Sequence, residues 1–414
     1  MAESTKKTIV KSTSSVEEEI KKGDKLSIID LVDGLMNRAY ISDASDIHID
    51  PEEARVVVRM RIDGVLHDTF VLPKEIQPEV MTRIKVLSNL RTDEHQAAQD
   101  GRFRVTAASG ESIDIRVSIV PTYYGENAVL RLLAEKSALF TLETIGFSQE
   151  DLKKVKGAIE RPYGMILATG PTGSGKTTTL YAILKILNTR EVSVVTIEDP
   201  IEYAVEGINQ IQANPRTGLN FATGLRSILR QDPNIIMVGE IRDEETAAIA
   251  VNAALTGHLM LSTLHTNDAA TTLPRLIDMK VEPFLIASTV NIAIGQRLVR
   301  TICPDCKTKK NLTDIELKSI TDIVPVKLLE GKLEFYYGKG CNKCDSSGYK
   351  GRIGVHEVMT IDEEIREAIM ARKNSDQIRE IAIKSGMTTM LEDGFKKALA
   401  GTTTIEEVLR VVHE

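Results

Sequence analysis

The chain has 414 residues, a length that predicts two to four domains, and its 42% hydrophobic and 27% charged residues are typical of a globular protein. A net charge of 52 − 59 = −7 argues against binding nucleic acid through bulk positive charge, and no apolar run approaches the roughly 20 residues of a membrane-spanning helix. The N-terminal segment has no apolar run of signal-peptide length, so we expect a cytoplasmic protein.

The first part of the chain predicts a flexible tail and then a small α+β domain. Residues 1–25 are rich in Lys, Glu, Ser and Thr without an apolar period, so we assign them no structure. Residues 26–140 alternate between helical and strand-like apolar spacing, with a strong hairpin signal at Asp63-Gly64. The predicted elements are a helix at 26–40, a turn at Ser42, Ser45 and Asp46, strands at 55–61 and 65–71, a helix around 80–87, and strands at 103–107 and 113–118 joined through Ser109-Gly110.

From residue 164 onward, strands and helices alternate, which is typical of a parallel sheet flanked by helices. Short apolar runs predict buried strands, and an Ala-rich helix ends at Gly257. The predicted elements are strands at 165–168, 193–197, 235–238 and 259–264, and helices at 177–187, after Phe221 and at 244–255. We therefore assign residues 141–300 to an α/β core.

The last third of the chain predicts two further regions. Residues 301–350 are polar and Lys-rich and contain all four cysteines, which predicts a small lobe. Amphipathic helical spacing returns from Glu363, so we assign residues 351–414 to a helical C-terminal region.

A phosphate-binding loop is the most specific motif in the chain. The run GPTGSGKT lies between an apolar strand and an amphipathic helix, as such a loop must. Its glycines let backbone N–H groups surround phosphate oxygens, Lys176 can reach the β- and γ-phosphates, and Thr177 can hold Mg²⁺. The expected nucleotide-binding residues are Gly170, Pro171, Thr172, Gly173, Ser174, Gly175, Lys176, Thr177 and Thr178.

Acidic residues follow two of the predicted strands. Glu240 ends the apolar run IIMVGE, and the segment TIEDPIE supplies Glu198, Asp199 and Glu202. Because ligands of an open parallel sheet bind beyond the carboxyl ends of its strands, these acids are site candidates. We expect Glu240 to face Mg²⁺ and the attacking water, and Glu202 is the other candidate base. For Glu198 and Asp199, a solvated surface acid is an equally good interpretation.

Two histidines bracket the strand at 259–264. His265 follows this strand where the phosphate loop opens, which makes it a candidate sensor of the γ-phosphate. His258 lies at the other end, and because a strand rises about 3.3 Å per residue, the two cannot both touch one phosphate. A capping or packing role is therefore at least as good an interpretation of His258.

Four arginines are candidates for stabilising charge during phosphoryl transfer. Arg226 and Arg230 lie four residues apart on the helix predicted after Phe221 and would share a face. Arg116 and Arg131 lie on predicted strands of the first domain. The alternative for each is a solvated surface arginine.

The four cysteines form two CxxC pairs, Cys303 with Cys306 and Cys341 with Cys344. Four thiolates in two clips are typical of a closed, structural zinc site. Unrelated thiols, two disulfides and a redox pair are the alternatives, and a reducing compartment makes the disulfides less favourable.

Together these motifs resemble the assembly ATPases of bacterial type IV pili and type II secretion. The resemblance runs from about Asp43 to the C-terminus, through ASDIHIDP, VRMRIDGVL, IDIRVSIVPTYYGENAVLRLL, GPTGSGKTTTLY, TIEDPIE, GLRSILRQDPNIIMVGEIRDEETA, TGHLMLSTLHTNDA and the four cysteines. It implies a RecA-like parallel-sheet ATPase domain, preceded by a smaller α+β (PAS-like) domain that closes over the nucleotide. It also implies a ring hexamer with sites between subunits, ATP, Mg²⁺ and Zn²⁺ as cofactors, and an inner-membrane platform protein as partner.

The resemblance also implies roles for individual residues. It places Glu202 in an acidic box, Glu240 in a Walker B box, and His258 and His265 in a His box. Arg116, Arg131, Arg226 and Arg230 match the phosphate-contacting arginines of the family. The retraction motors of pili lack the four cysteines, so their presence here favours assembly or secretion. The expected location is the cytoplasmic face of the inner membrane, where the chain would be held through partners.

Two other functions remain as alternatives. A RecA-like nucleic-acid translocase would need a basic groove with stacking aromatics, whereas this chain has a net charge of −7 and 4% aromatic residues. A regulatory nucleotide-binding module without turnover is disfavoured by the intact set of Lys176, Thr177 and Glu240. Pilus assembly and type II secretion are not separated by these motifs. How the chain would dock on the platform protein is also open. Many family members carry an additional N-terminal domain for this docking, whereas only a short segment precedes residue 26 here.

Overall fold

The computed structural model of the chain describes residues 8–9, 16–107, 110–134, 140–310 and 333–413. They belong to two compact units, Met1–Leu139 and Phe140–Glu414. The finer division of the second unit into core, zinc lobe and C-terminal region stays a prediction. None of the helices in the described ranges is long and apolar enough to cross a membrane.

The first unit is built on a seven-stranded sheet with the order β1-β5-β6-β7-β2-β3-β4. Its strands are β1 Thr8–Ile9, β2 Ala44–Pro51, β3 Arg55–Ile62, β4 Val65–Pro73, β5 Gln99–Thr106, β6 Ser112–Thr122 and β7 Gly125–Ala134, and its helices are α1 Val16–Lys21, α2 Ile28–Ile41 and α3 Gln77–Leu87. The pair β1–β5 is parallel and the other pairs are antiparallel. Residues of α2 and α3 share a hydrophobic core with one face of the sheet, which leaves a polar face opposite.

Two expectations for this unit are wrong. Residues 16–21, assigned to a flexible tail, form helix α1, because Val16 supplies an apolar contact: it is 3% exposed and lies close to Gly34 of α2. Ser45 and Asp46, assigned to a turn, lie in β2, which is paired on both sides, with β3 and with β7. The polar residues of β2 concealed the strand, since only its alternate positions face the core. Ser109 of the expected turn lies outside the described residues.

The second unit contains a seven-stranded sheet with the order β10-β9-β11-β12-β8-β13-β16. The strands of this unit are β8 Gly164–Thr169, β9 Val194–Glu198, β10 Asn209–Gln212, β11 Ile235–Val238, β12 Leu259–Leu264, β13 Val290–Ile302, β14 Lys307–Lys310, β15 Phe335–Gly338 and β16 Tyr349–Thr360. Six strands of the large sheet are parallel, and β16 pairs antiparallel with β13 at the edge. The unit is therefore an α/β domain, as expected.

Helices cover both faces of this sheet and continue after β16. They are α4 Leu142–Ile145, α5 Gln149–Ile159, α6 Lys176–Leu187, α7 Phe221–Ile228, α8 Glu244–Leu255, α9 Thr272–Asp278, α10 Pro283–Thr289, α11 Glu363–Met370, α12 Ser375–Lys384, α13 Met390–Leu399 and α14 Ile405–His413. Two large hydrophobic clusters, one on each face, bury β8, β9, β11 and β12 completely, which is why these strands read as short apolar runs.

The region predicted as helical, residues 351–414, begins with a strand that was not predicted. Residues 349–360 form β16, which pairs with β13 and joins the central sheet. The polar residues His356 and Glu357 are 0% and 4% exposed, so this strand lacks the apolar run that marks β8 and β11. Arg230 also differs from expectation, because α7 ends at Ile228 and Arg230 lies in the turn that follows.

Candidate active site

The phosphate loop joins β8 to α6 and has the backbone that the motif requires. Gly170, Gly173 and Gly175 have φ values of +146°, +81° and +88°, which side-chain-bearing residues rarely adopt. A Cβ on Gly170 would also lie 2.5 Å from the main-chain oxygen of Gln296. Glycine is therefore needed here for both conformation and space.

Lys176 lies at the first position of α6, and its residue is 8% exposed. Its Nζ donates to the carbonyl oxygens of Gly170 at 2.8 Å and Pro171 at 3.0 Å. The pKa of this ammonium group is lowered to about 8, mainly by burial and in smaller part by the nearby Arg297, whereas Glu240 acts in the opposite direction. The lysine thus interacts electrostatically with the acid that the sequence assigned to catalysis.

Glu240 follows β11 and is 8% exposed. Its Oε2 lies 3.0 Å from Nε2 of His265 and 2.6 Å from Nε of Arg242. The structure therefore brings together three expected site residues, Lys176, Glu240 and His265. A carboxylate and the Thr177 hydroxyl at the start of α6 are hard oxygen ligands of the kind that Mg²⁺ prefers.

Buried threonines connect the two strand ends that carry the loop and the histidine. The hydroxyl of Thr169, at the end of β8, donates to the carbonyl oxygen of Thr266 at 2.8 Å, and the two hydroxyls also form a short contact. Thr266 directly follows His265, so this contact holds the histidine segment against the start of the phosphate loop.

The three acids of the segment TIEDPIE differ in their burial. Glu198 is 2% exposed and accepts hydrogen bonds from Tyr181, from Thr196 at 2.6 Å and from Gln210 at 3.2 Å. Burial raises the pKa of this carboxyl. Glu198 is thus placed in a buried network between β9 and α6, and it is not the solvated surface acid of the alternative interpretation.

The charge of Glu202 acts on Glu198, and Glu202 is half-buried. Asp199 lies between them, before Pro200, and its residue is exposed. A catalytic role for Glu202 stays a prediction.

His258 lies at the start of β12, and His265 follows the end of this strand. The Nδ1 of His258 is 2.9 Å from the carbonyl oxygen of Ala253 in α8. This contact fits the capping interpretation and leaves His258 remote from the phosphate loop.

The arginines of the second unit have partners within their own unit. Arg226 forms an ion pair of 2.6 Å with Glu245, and Arg230 donates to the carbonyl oxygen of Arg226 at 2.9 Å. A role at phosphate for either one stays a prediction.

Arg116 and Arg131 lie opposite each other on β6 and β7, on the polar face of the first sheet. The row continues with Arg102 opposite Arg116 and Asp46 opposite Arg131. The Nε of Arg131 is 2.9 Å from Asp46 Oδ1. The first unit thus presents three guanidinium groups in one row, with the Asp46 carboxylate next to the last of them.

The four cysteines form one cluster. Cys303 follows β13, and the thiol sulfurs are 3.9 Å apart in the pairs Cys303–Cys341 and Cys306–Cys344 and 3.7 Å apart in Cys341–Cys344. All four lie within 4.8 Å of one another. A tetrahedron of Zn–S bonds of about 2.3 Å separates its sulfurs by about 3.8 Å. The cluster therefore fits zinc, and the spacing is too long for disulfides.

Three residues beside the phosphate loop or Glu240 were not predicted from the sequence. Gln296 and Arg297 lie on β13, and they are 1% and 6% exposed. Arg242 was missed although it lies two residues after Glu240. A polar pair inside an otherwise apolar strand, IAIGQRLV, was the available signal for the first two.

A phosphate loop on a parallel sheet, with an acid and a histidine beyond neighbouring strands, defines a nucleotide-binding P-loop domain. Residues 21–410 match the family model for Type II/IV secretion system proteins. The chain belongs to this family.

Two relatives illustrate the similarity. The chain is 47% identical over 378 residues to the type IV pilus assembly ATPase PilB of Thermus thermophilus, covering 91% of this chain and 42% of that protein. It is 45% identical over 407 residues to type II secretion system protein E of Xanthomonas campestris pv. campestris, covering 97% of this chain and 70% of the relative. The chain thus spans less than half of one relative and about two thirds of the other.

A solved structure, that of the pilus retraction motor PilT with bound ADP, matches with a TM-score of 0.61 at 26% identity, covering 91% of this chain and 95% of that one. The α/β architecture is therefore shared with a solved ATPase.

Proposed function

We propose that the chain is a motor that hydrolyses ATP to power pilin assembly in a type IV pilus or a type II secretion system. The observation that carries the proposal is the convergence of Lys176, Glu240 and His265 beside a phosphate loop of the required backbone. The names of the two curated relatives support the class of machine.

The loop residues 170–178 would bind the triphosphate, with Lys176 moving from the loop carbonyls to the β- and γ-phosphates. Thr177 and Glu240 would hold Mg²⁺, which neutralises charge on the phosphates. Glu240, with Glu202 as the alternative, would orient or deprotonate the attacking water. His265 would respond to the γ-phosphate, because its contact with Glu240 places it beside the reacting group.

Arginines would complete the site. Arg116 and Arg131 would reach the phosphates from the first unit, and Arg226 and Arg230 from the second, in a homo-hexamer whose sites lie between subunits. Their charge would stabilise the transition state of phosphoryl transfer. The row of arginines on the first sheet supports this role for that unit. The PAS-like character of the unit stays a prediction.

The cysteine cluster would hold one structural zinc, since four thiolates leave no open coordination position. The proposed partner is an inner-membrane platform protein, and the proposed location is the cytoplasmic face of that membrane. No direct contact with nucleic acid is expected. The experiment must therefore distinguish the proposed motor from a nucleic-acid translocase.

The test compares turnover of Mg-ATP by the chain alone, with single-stranded DNA, and with the platform protein of its own machine in detergent. We expect the platform protein to raise turnover and DNA to leave it unchanged. An unrelated membrane protein in the same detergent is the control. Stimulation by DNA with no response to the platform would contradict the proposal and favour the translocase.

A further inference from the structure

Gln296 occupies an unusual position for an uncharged polar residue. It lies within β13, the neighbour of β8 in the central sheet, and is 1% exposed. Its Nε2 donates to the carbonyl oxygen of Ser174 in the phosphate loop at 2.8 Å, and its Oε1 accepts from the hydroxyl of Thr179 in α6 at 2.7 Å. One amide thus joins a strand, the loop and the helix that follows the loop.

The orientation of this amide is determined by its partners. The Ser174 carbonyl can only accept, so it must face the NH₂ group, and the Thr179 hydroxyl then donates to the oxygen. Thr179 is itself 0% exposed, so water does not compete for its hydroxyl. Both polar ends of the Gln296 side chain are therefore used in a dry environment.

The phosphate loop is also shaped around this residue. A Cβ on Gly175 would lie 2.7 Å from Gln296 Nε2, and a Cβ on Gly170 would lie 2.5 Å from the Gln296 main-chain oxygen. Two motif glycines thus provide space for Gln296 as well as the loop conformation.

We propose that Gln296 is a positioning residue for nucleotide binding, which holds the phosphate loop and the first turn of α6 in the arrangement that directs their N–H groups at phosphate. The inference rests on the proposed function, in which this loop binds the triphosphate. Loss of the amide leaves the Ser174 carbonyl buried without its donor, and the loop relieves this by turning that carbonyl towards water. The loop N–H groups then no longer converge on the ligand.

Asn291 provides a matched control on the same strand. Its Nδ2 donates to the carbonyl oxygen of Tyr163 at 2.9 Å, and its Oδ1 accepts from Arg161 at 2.9 Å. It is 7% exposed, and it lies beside Gly164, at the start of β8 and away from the phosphate loop. Replacing it disturbs a buried amide of β13 without touching the nucleotide site.

The experiment uses the full chain and the magnesium complex of a non-hydrolysable ATP analogue, with Kd measured by calorimetry and Tm measured in parallel. Gln296→Met and Thr179→Val should each raise Kd about tenfold or more, and Thr179→Ser should restore it. The Kd of the double variant should not exceed the higher Kd of the two single variants, because both changes remove the same bridge. The KM for ATP should rise with Kd. Asn291→Leu should lower Tm and leave Kd unchanged.

Three results would overturn the inference. One is a wild-type Kd in Gln296→Met with only Tm lowered, and another is an equal rise of Kd in Asn291→Leu. The third is a wild-type Kd in Thr179→Val. If Gln296→Met does not fold, the comparison of Thr179→Val with Thr179→Ser is the test. A wild-type chain that binds no analogue is a different result, because it refutes the proposed function itself.

Discussion

Lys176 is held in an environment that works against its charge. Burial and the cation of Arg297 lower the pKa of its ammonium group to about 8, although Glu240 attracts it. A bound triphosphate would bring several negative oxygens to the ammonium group and raise its pKa again. Nucleotide binding should therefore be coupled to protonation of this residue.

The coupling predicts a pH dependence with a definite sign. Above pH 8 the lysine of the free chain is mostly neutral, whereas that of the complex is charged, so binding must take up a proton. Affinity for an ATP analogue should fall as pH rises from 8 to 9.5, by up to about tenfold per unit, and change little just below pH 8. Calorimetry in two buffers of different ionisation enthalpy counts the proton. Lys176→Arg, which stays protonated, should show no uptake, and a wild-type chain without uptake at pH 9 would contradict the account.

Glu240 permits a separation of binding from turnover. Glu240→Gln keeps the shape of the side chain but removes the charge that holds Mg²⁺ and polarises water, so we expect ATP to bind and turnover to fall by about 10²-fold or more. Glu244→Gln is the control, since Glu244 is exposed and pairs with Lys280. Nucleotide binding and steady-state hydrolysis are measured on each variant. An active Glu240→Gln together with an inactive Glu202→Gln would assign the base to Glu202.

At the scale of elements, the cysteine cluster ties the end of β13 to the segment that leads into β16. Cys303 follows β13, Cys344 precedes β16, and the Cys303 N–H donates to the Gly348 carbonyl at 3.0 Å. The edge strand β16 is thus anchored through the lobe. A metal at this point would stabilise the strand pair as well as the lobe.

We predict one zinc per chain, and loss of protease resistance in the lobe when Cys344 becomes Ser. Elemental analysis of protein purified without chelator measures the metal, and limited proteolysis measures the lobe. Asp305→Asn is the control, because Asp305 lies within the first cysteine clip and its side chain pairs with exposed Lys343 at 2.6 Å. A chain without zinc, or a Cys344→Ser variant with full zinc content, would contradict the prediction.

Elements with one dominant period were predictable from the sequence. The helix at 244–255 was predicted because it is Ala-rich and is followed by Gly257, and β8, β11 and β12 were predicted because each is a short, mainly apolar run. The strand β16 was missed because His356 and Glu357 are buried with hydrogen-bonding or packing partners that no local pattern reveals. Glu357 accepts from the N–H of Ala269 at 2.6 Å, a contact across 88 residues of sequence.

The site residues, too, were predictable only where the contacts between them are local in sequence. The phosphate loop was recognised because its chemistry is local in sequence, whereas Gln296 acts on the loop from a strand 122 residues beyond Ser174. The pairing of Glu240 with His265 was expected only as proximity at the sheet edge. Its 3.0 Å contact depends on how β11 and β12 are packed side by side.

At the scale of the whole molecule, the proposal requires arginines of the first unit to serve the phosphate loop of the second. Arg131→Ala should cut turnover by about two orders of magnitude or more while ATP still binds, in the range of arginine fingers. Arg59→Ala is the matched control, because Arg59 pairs with Asp50 as Arg131 pairs with Asp46. A solvated arginine contributes under about 1 kcal/mol, so a role as a surface charge predicts little change.

Mixed assemblies distinguish action across a subunit boundary from action within one chain. Lys176→Ala and Arg131→Ala chains are combined, and the mixed state of the rings is verified with two affinity tags. If the arginine acts across the boundary, some turnover returns, because an intact loop then meets an intact arginine. No rescue in rings shown to be mixed would refute the between-subunit site.

The central claim is that this chain hydrolyses ATP at its own phosphate loop, and steady-state turnover of Mg-ATP by the purified chain tests it most directly. Wild type is compared with Lys176→Ala and with Lys153→Ala, which removes an exposed lysine of α5 as a charge-matched control. We predict turnover in wild type and Lys153→Ala and its abolition in Lys176→Ala, because no other side chain of the loop carries positive charge. Wild-type turnover in Lys176→Ala would contradict the account.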